Sequence, residues 1–68
     1  MSVAKVSEIL ASSPTSFDDA MKTGLARAHK TLRNLKSAWI QSQNVKLDDK
    51  GQITEYRVQL RVAFAVED

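Results

Sequence analysis

The run from residue 53 to residue 66 constrains the fold more than any other part of the chain. Tyr56, Val58, Leu60, Val62 and Phe64 alternate there with Glu55, Arg57, Gln59, Arg61 and Ala63. A period of two is the signature of a strand with one apolar and one polar face. Such a strand needs neighbours to take up its backbone hydrogen bonds and an apolar surface to cover Val58, Leu60 and Val62.

Residues 17–34 supply the cover. Phe17, Ala20, Met21, Gly24, Leu25, Ala28, Leu32 and Leu35 recur at helical spacing and form one stripe. Ser16 can cap the helix, with Asp19 three residues on in an Asp variant of the capping box. Asp18 and Asp19 suit the positive end of the helix dipole. Gly24 lies inside the apolar stripe and weakens the helix, which points to a close approach of helix to sheet.

Two further strands supply the pairing. Residues 3–10 read as the first strand, with Val3, Val6, Ile9 and Leu10 apolar, and stop at the turn residues Ser12, Ser13 and Pro14. Residues 37–45 read as the second, Asp48 to Gly51 as a hairpin loop, and residues 53–66 as the third. The expected class is α+β, with the order β-α-β-β and a three-stranded antiparallel sheet wrapped around one long helix. Residues 1–68 form a single domain without repeats or linkers.

Composition narrows the ways so short a chain can be secured. A domain of 68 residues buries a small share of its surface. It has no cysteine and one histidine, His29. Disulfides and thiolate metal sites are therefore excluded, and self-association is the remaining route to stability. No stretch approaches the roughly 20 apolar residues of a membrane span. The segment Met1-Ser2-Val3-Ala4-Lys5 lacks the apolar run of a signal peptide, so the cytoplasm is the expected compartment. A net charge of +2 is a weak footprint for nucleic acid, and Arg27, Lys30 and Arg33 read as a solvated helix face.

One helix covers one face of a sheet, which leaves the other face to be explained. Strict alternation puts Ser37, Trp39, Gln41 and Gln43 on that face together with Arg57, Gln59 and Arg61, and turns Ala38 and Ile40 the other way. Planar amides, guanidinium groups and a single indole suit a wet subunit interface, and they also suit a flat polar heterocycle held at one. No constellation supports catalysis: there is no thiol nucleophile, no Gly-x-Ser-x-Gly elbow and no glycine-rich phosphate loop. Asp48 and Asp49 read as turn formers, with cation binding as the alternative if neighbouring subunits contribute oxygens.

The chain also resembles the dodecins, small flavin-binding proteins of bacteria and archaea. The resemblance is carried by Lys5-Val6, by Ser12-Ser13-Pro14-Thr15-Ser16-Phe17, by Ala26-Arg27-Ala28, by Thr31-Leu32-Arg33-Asn34-Leu35 and by the segment from Glu55 to Phe64. It implies a hollow homododecamer in which flavins stack on a tryptophan at two-fold interfaces while a glutamine hydrogen-bonds the ring edge. In the family that tryptophan directly follows the Asn-Leu-x run, and that glutamine follows the aromatic residue of the last strand. Ser37 and Arg57 stand at those positions here, and Trp39 and Gln59 lie two residues further on. The candidate cofactor-binding residues are therefore Ser37, Trp39, Arg57 and Gln59, and the implied cofactor is a flavin (riboflavin, FMN or FAD). The implied function is non-catalytic flavin-class binding and storage, without nucleic-acid or membrane partners. The alternative is a dodecin-type cage that has lost flavin binding and holds a cation, a phosphate-bearing ligand or another ligand, or is mainly structural.

Overall fold

The computed structural model describes residues 3–66. Met1, Ser2, Glu67 and Asp68, at the two ends of the expected domain, lie outside the described residues. The elements are β1 (Ala4–Ser13), α1 (Phe17–Thr31), β2 (Leu35–Leu47) and β3 (Ile53–Ala65), in the expected order. The sheet runs β1-β3-β2, and both pairings are antiparallel. The strand with the clearest alternation thus takes the centre, where both of its edges are paired.

The junction between β1 and α1 is tied by short polar contacts. Ser16 is extended, with φ −169°, and its side chain accepts the backbone N–H of Asp19 at 2.9 Å. The Asp19 carboxylate in turn accepts the hydroxyl of Ser13 at 2.6 Å, and the same Ser13 oxygen accepts the N–H of Thr15 at 2.9 Å. Ser13 is buried, so these bonds satisfy a hydroxyl that water cannot reach.

Element boundaries differ from the sequence expectation for local reasons. β1 runs past Leu10 to Ser13, because Ala11, Ser12 and Ser13 pair with Val58, Arg57 and Tyr56. The helix ends at Thr31 and not near Asn34. Leu32 has extended dihedrals and donates its N–H to the Ala28 carbonyl at 2.7 Å, and Asn34 adopts φ 62°. Asparagine tolerates this left-handed conformation better than most residues. Leu35, expected on the helix stripe, instead opens β2 opposite Phe64. In the hairpin loop Asp48 Oδ1 accepts the N–H groups of Lys50 and Gln52, and Gly51 takes φ 79°.

The core is small. Ala20, Val58 and Leu60 form its buried centre, with Ile9, Ala11, Phe17, Met21 and Leu25 packed around them. Phe17 meets Tyr56 edge to face at a centroid distance of 5.2 Å. Gly24 lies where the helix comes nearest to β1: a Cβ added there would stand 2.7 Å from the Ala11 Cβ. Alanine at this position gains about 1 kcal/mol of helix propensity, but overpacking costs about 1–3 kcal/mol. Gly24→Ala is therefore expected to lower the midpoint of urea unfolding, although the same exchange at an open helix position raises it.

None of these core residues comes from β2, which continues past the helix. Ile40 pairs with fully buried Leu60 and is nonetheless 44% exposed. The chain has 5221 Å² of accessible surface, against about 4,300 Å² for a compact monomer of its mass. Its radius of gyration is 14.1 Å, against about 11 Å for a compact domain of its length. Both excesses have the same cause, a long β-hairpin with one strand uncovered.

Candidate ligand-binding face

Side chains of residues directly opposite one another in an antiparallel ladder share a face of the sheet. On the face away from α1 the pairing sets up three rungs. Glu8, Arg61 and Trp39 form the first, Leu10, Gln59 and Ser42 the second, and Ser12, Arg57 and Asn44 the third. Ser37 lies beyond the first rung, opposite Ala63. The four residues expected to bind a cofactor are therefore on one face, strung along the sheet in the order Ser37, Trp39, Gln59, Arg57.

Two placements differ from strict alternation. The ladder shifts register between Ile40 and Ser42, which leaves Gln41 as an extra residue without a partner. Beyond this bulge the faces exchange. Gln43, expected beside Trp39, pairs with Val58 and belongs to the opposite face, and Ser42 and Asn44 take the places expected for Gln41 and Gln43. A bulge of this kind leaves no mark in the hydrophobic pattern, because residues 41–44 are all polar. β1 also contributes residues that the sequence reading passed over. Leu10, next to Ile9, obscures the alternation there, yet it points away from the core and is 81% exposed.

The first two rungs are linked by polar contacts. Ser42 donates its hydroxyl to Gln59 Oε1 at 3.1 Å, and Gln59 Nε2 donates to Glu8 Oε2 at 3.2 Å. Glu8 Oε1 lies 4.0 Å from Arg61 Nε. Arg61 Nε itself is buried and has no hydrogen-bond partner among the described residues, while the side chain as a whole is partly exposed. Trp39, in the same rung, is 45% exposed. A half-exposed indole beside a guanidinium and a fixed carboxamide provides a flat apolar surface with donors at its edge.

The remaining titratable candidates lie elsewhere. His29 is on α1, at the rim of a recess shared with Lys22, Lys30 and Lys36 on the other side of the sheet. One carboxylate oxygen of Asp48 is engaged by its own turn. Among the described residues no group of three or more His, Cys, Asp or Glu is placed to hold a metal ion. No helix among them is long and apolar enough to cross a membrane.

Residues 3–67 match the family model Dodecin. The chain belongs to the dodecin family. It is 38% identical over 64 residues to the calcium dodecin of Mycobacterium tuberculosis, which covers 94% of this chain and 89% of the relative. The structure superposes on the dodecin from Streptomyces davaonensis with a TM-score of 0.92 at 31% identity, over 98% of this chain and 97% of that one. It also matches the crystal structure of the Mycobacterium tuberculosis calcium dodecin, described as calcium-chelating with a novel calcium-binding site. There the TM-score is 0.83 at 32% identity, over 96% of this chain and 91% of that one. The β-α-β-β order and the single helix on a three-stranded antiparallel sheet of this dodecin are thus those of its family.

Proposed function

We propose that this dodecin holds a planar small molecule of the flavin class without turning it over, in a cytoplasmic hollow homododecamer. The observation that carries the reading is the half-exposed Trp39 indole on the helix-free face, flanked by Arg61 and one rung from Gln59. The indole supplies the stacking surface. Gln59, held by Ser42 and Glu8, and the partly exposed guanidinium of Arg61 supply directional contacts to a polar ring edge. Uncovered β2, with Ile40 exposed opposite the core, is the surface that further copies of the chain would bury.

Riboflavin fluorescence tests the ligand claim. Titration with protein at micromolar concentration is expected to quench the emission, because stacking on an indole brings an electron-rich ring against the flavin. Unchanged emission would refute flavin-class binding. Light scattering tests the assembly, and a particle of 7.6 kDa would refute it.

A second reading, a cage that holds a cation in place of flavin, draws on the likeness to the calcium dodecin. It requires carboxylates from several copies to converge, since this chain alone brings no cluster together among the described residues. Unquenched flavin together with a calcium-dependent rise in melting temperature would favour it.

A further inference from the structure

The recess on the helix side, between α1 and the start of β2, has an apolar floor and a basic rim. Leu25 and Leu35 lie in it half-buried, and Lys22, His29, Lys30 and Lys36 stand around it, all four exposed. Its volume is ≈ 680 Å³, and no acidic side chain among the described residues lines it. The ladder shifts register between Leu35 and Ser37, so Lys36 is an extra residue of β2 at this point. None of the three lysines has an ion-pair partner among the described residues. An apolar hollow ringed by unpaired cations fits an occupant that is apolar and carries negative charge beside its apolar part.

The chain carries such an occupant at its opposite end. Leu47 and Ile53 pair across the ladder at the tip of the β2–β3 hairpin, so their side chains share a face, and they are 53% and 49% exposed. Between them the loop presents Asp48 and Asp49, both exposed. Lys50 offsets one of these charges and leaves the tip net negative. Asp48 Oδ1 is held by its own turn, whereas the Asp49 carboxylate makes no bond among the described residues. Ala38, in the recess, and Leu47 lie far apart along β2, about 30 Å at the usual strand rise, in a molecule 53 Å long. A tip therefore cannot reach the recess of its own chain and can fill only that of another copy.

We infer that the hairpin tip of one copy seats in the basic-rimmed recess of the next, with Leu47 and Ile53 against Leu25 and Leu35 and with Asp49 among the lysines. The inference rests on the self-association proposed above and names one of the contacts that build it. The contact is heterologous, since each copy gives a tip and receives one. Repeated, such a contact closes into a ring or runs on as a filament, and a hollow particle requires the closed form.

The chain has no cysteine, which makes thiol cross-linking a direct test. The full chain with both Asp49→Cys and Lys30→Cys, treated with a short bismaleimide, is expected to give a ladder of linked multimers on a denaturing gel. The spacer is too short to join the two thiols within one chain across about 30 Å. Neither single variant should link. Charge reversal supplies the energetic test. Asp49→Lys and Lys30→Glu each set like charges against one another at every contact, and each is expected to raise the protein concentration at which light scattering shows dissociation by about tenfold or more. The two together should restore the wild-type behaviour. A wild-type multimer whose double-cysteine variant gives no ladder, or whose size is indifferent to both reversals, would overturn the contact and leave the assembly standing. Linked dimers from the single variants in equal yield would also overturn it, since they assign the proximity to a symmetric contact. A wild-type particle of 7.6 kDa would refute the contact and the assembly together.

Discussion

Leu60→Ala is expected to cost about 2–5 kcal/mol of stability, the range for emptying a fully buried leucine site that closes incompletely. Leu60 is 0% exposed, lies in the central strand between Ile9 and Ile40, and meets the helix at Gly24. The site has little freedom to collapse. Gly24 has no side chain to move into the space, and Ala11 already touches the helix backbone. A chain of this length has a total stability of roughly 3–10 kcal/mol. The substitution therefore removes a large part of what holds the fold. Urea unfolding of Leu60→Ala should show a much lower midpoint, and size-exclusion chromatography should show material that is no longer uniform. Ile40→Ala is the control. It removes a similar volume from the next strand at a half-exposed position, and a loss as large as that of Leu60→Ala would mean that β2 is covered in the assembled protein.

The second large effect is expected at Trp39. Removing an aromatic platform beneath a flat ring costs about 1–3 kcal/mol, roughly 5- to 150-fold in affinity. Trp39→Ala should accordingly lose most of the flavin quenching of the wild-type chain while keeping its particle size. Trp39→Phe should keep part of the binding, because a smaller ring still presents a face. Two measurements are needed together, quenching and light scattering. A Trp39→Ala protein that falls to a smaller particle would identify the indole as packing between subunits. Unchanged quenching at unchanged size would place the ligand elsewhere.

How much of this was legible in the sequence depended on burial. Val58, Leu60 and Val62 face a core, so their period of two had one consistent reading, and the central place of β3 follows from it. Ser16 announced the helix start because a cap uses specific atoms at fixed spacing, and its bond to the Asp19 N–H is the one expected, whereas the Asp19 carboxylate turns to the Ser13 hydroxyl and does not close a capping box. Gly24 gave away a close contact for the same kind of reason. The candidate face was legible in part. Ser37, Trp39, Gln59 and Arg57 do share one side of the sheet, but Gln43 was expected there and lies on the other, while Ser42 and Asn44 join the face without having been expected on it. Exposed polar strand residues follow no hydrophobic pattern, so a bulge at Gln41 shifts their faces without leaving a signal. Glu8 and Ser12 were missed because exposed Leu10 broke the alternation of β1. The helix ended at Thr31, where Leu32 turns extended and Asn34 goes on into a left-handed conformation, against a stripe of leucines that ran on to Leu35.

The two outer strands are unequal as templates for misassembly. β1 pairs with β3 without interruption from Ala4 to Ser13, so its free edge offers an unbroken row of backbone donors and acceptors. β2 is longer, but its register shifts between Leu35 and Ser37 and again between Ile40 and Ser42, which divides its edge into residues 37–40 and 42–46 before the loop. Bulges kink a strand and spoil its match to an incoming one, and sheets commonly protect their edges in this way. An unassembled copy of this chain would therefore recruit foreign strands along β1, and a proline or an added lysine there would act against aggregation where the same change in β2 would not.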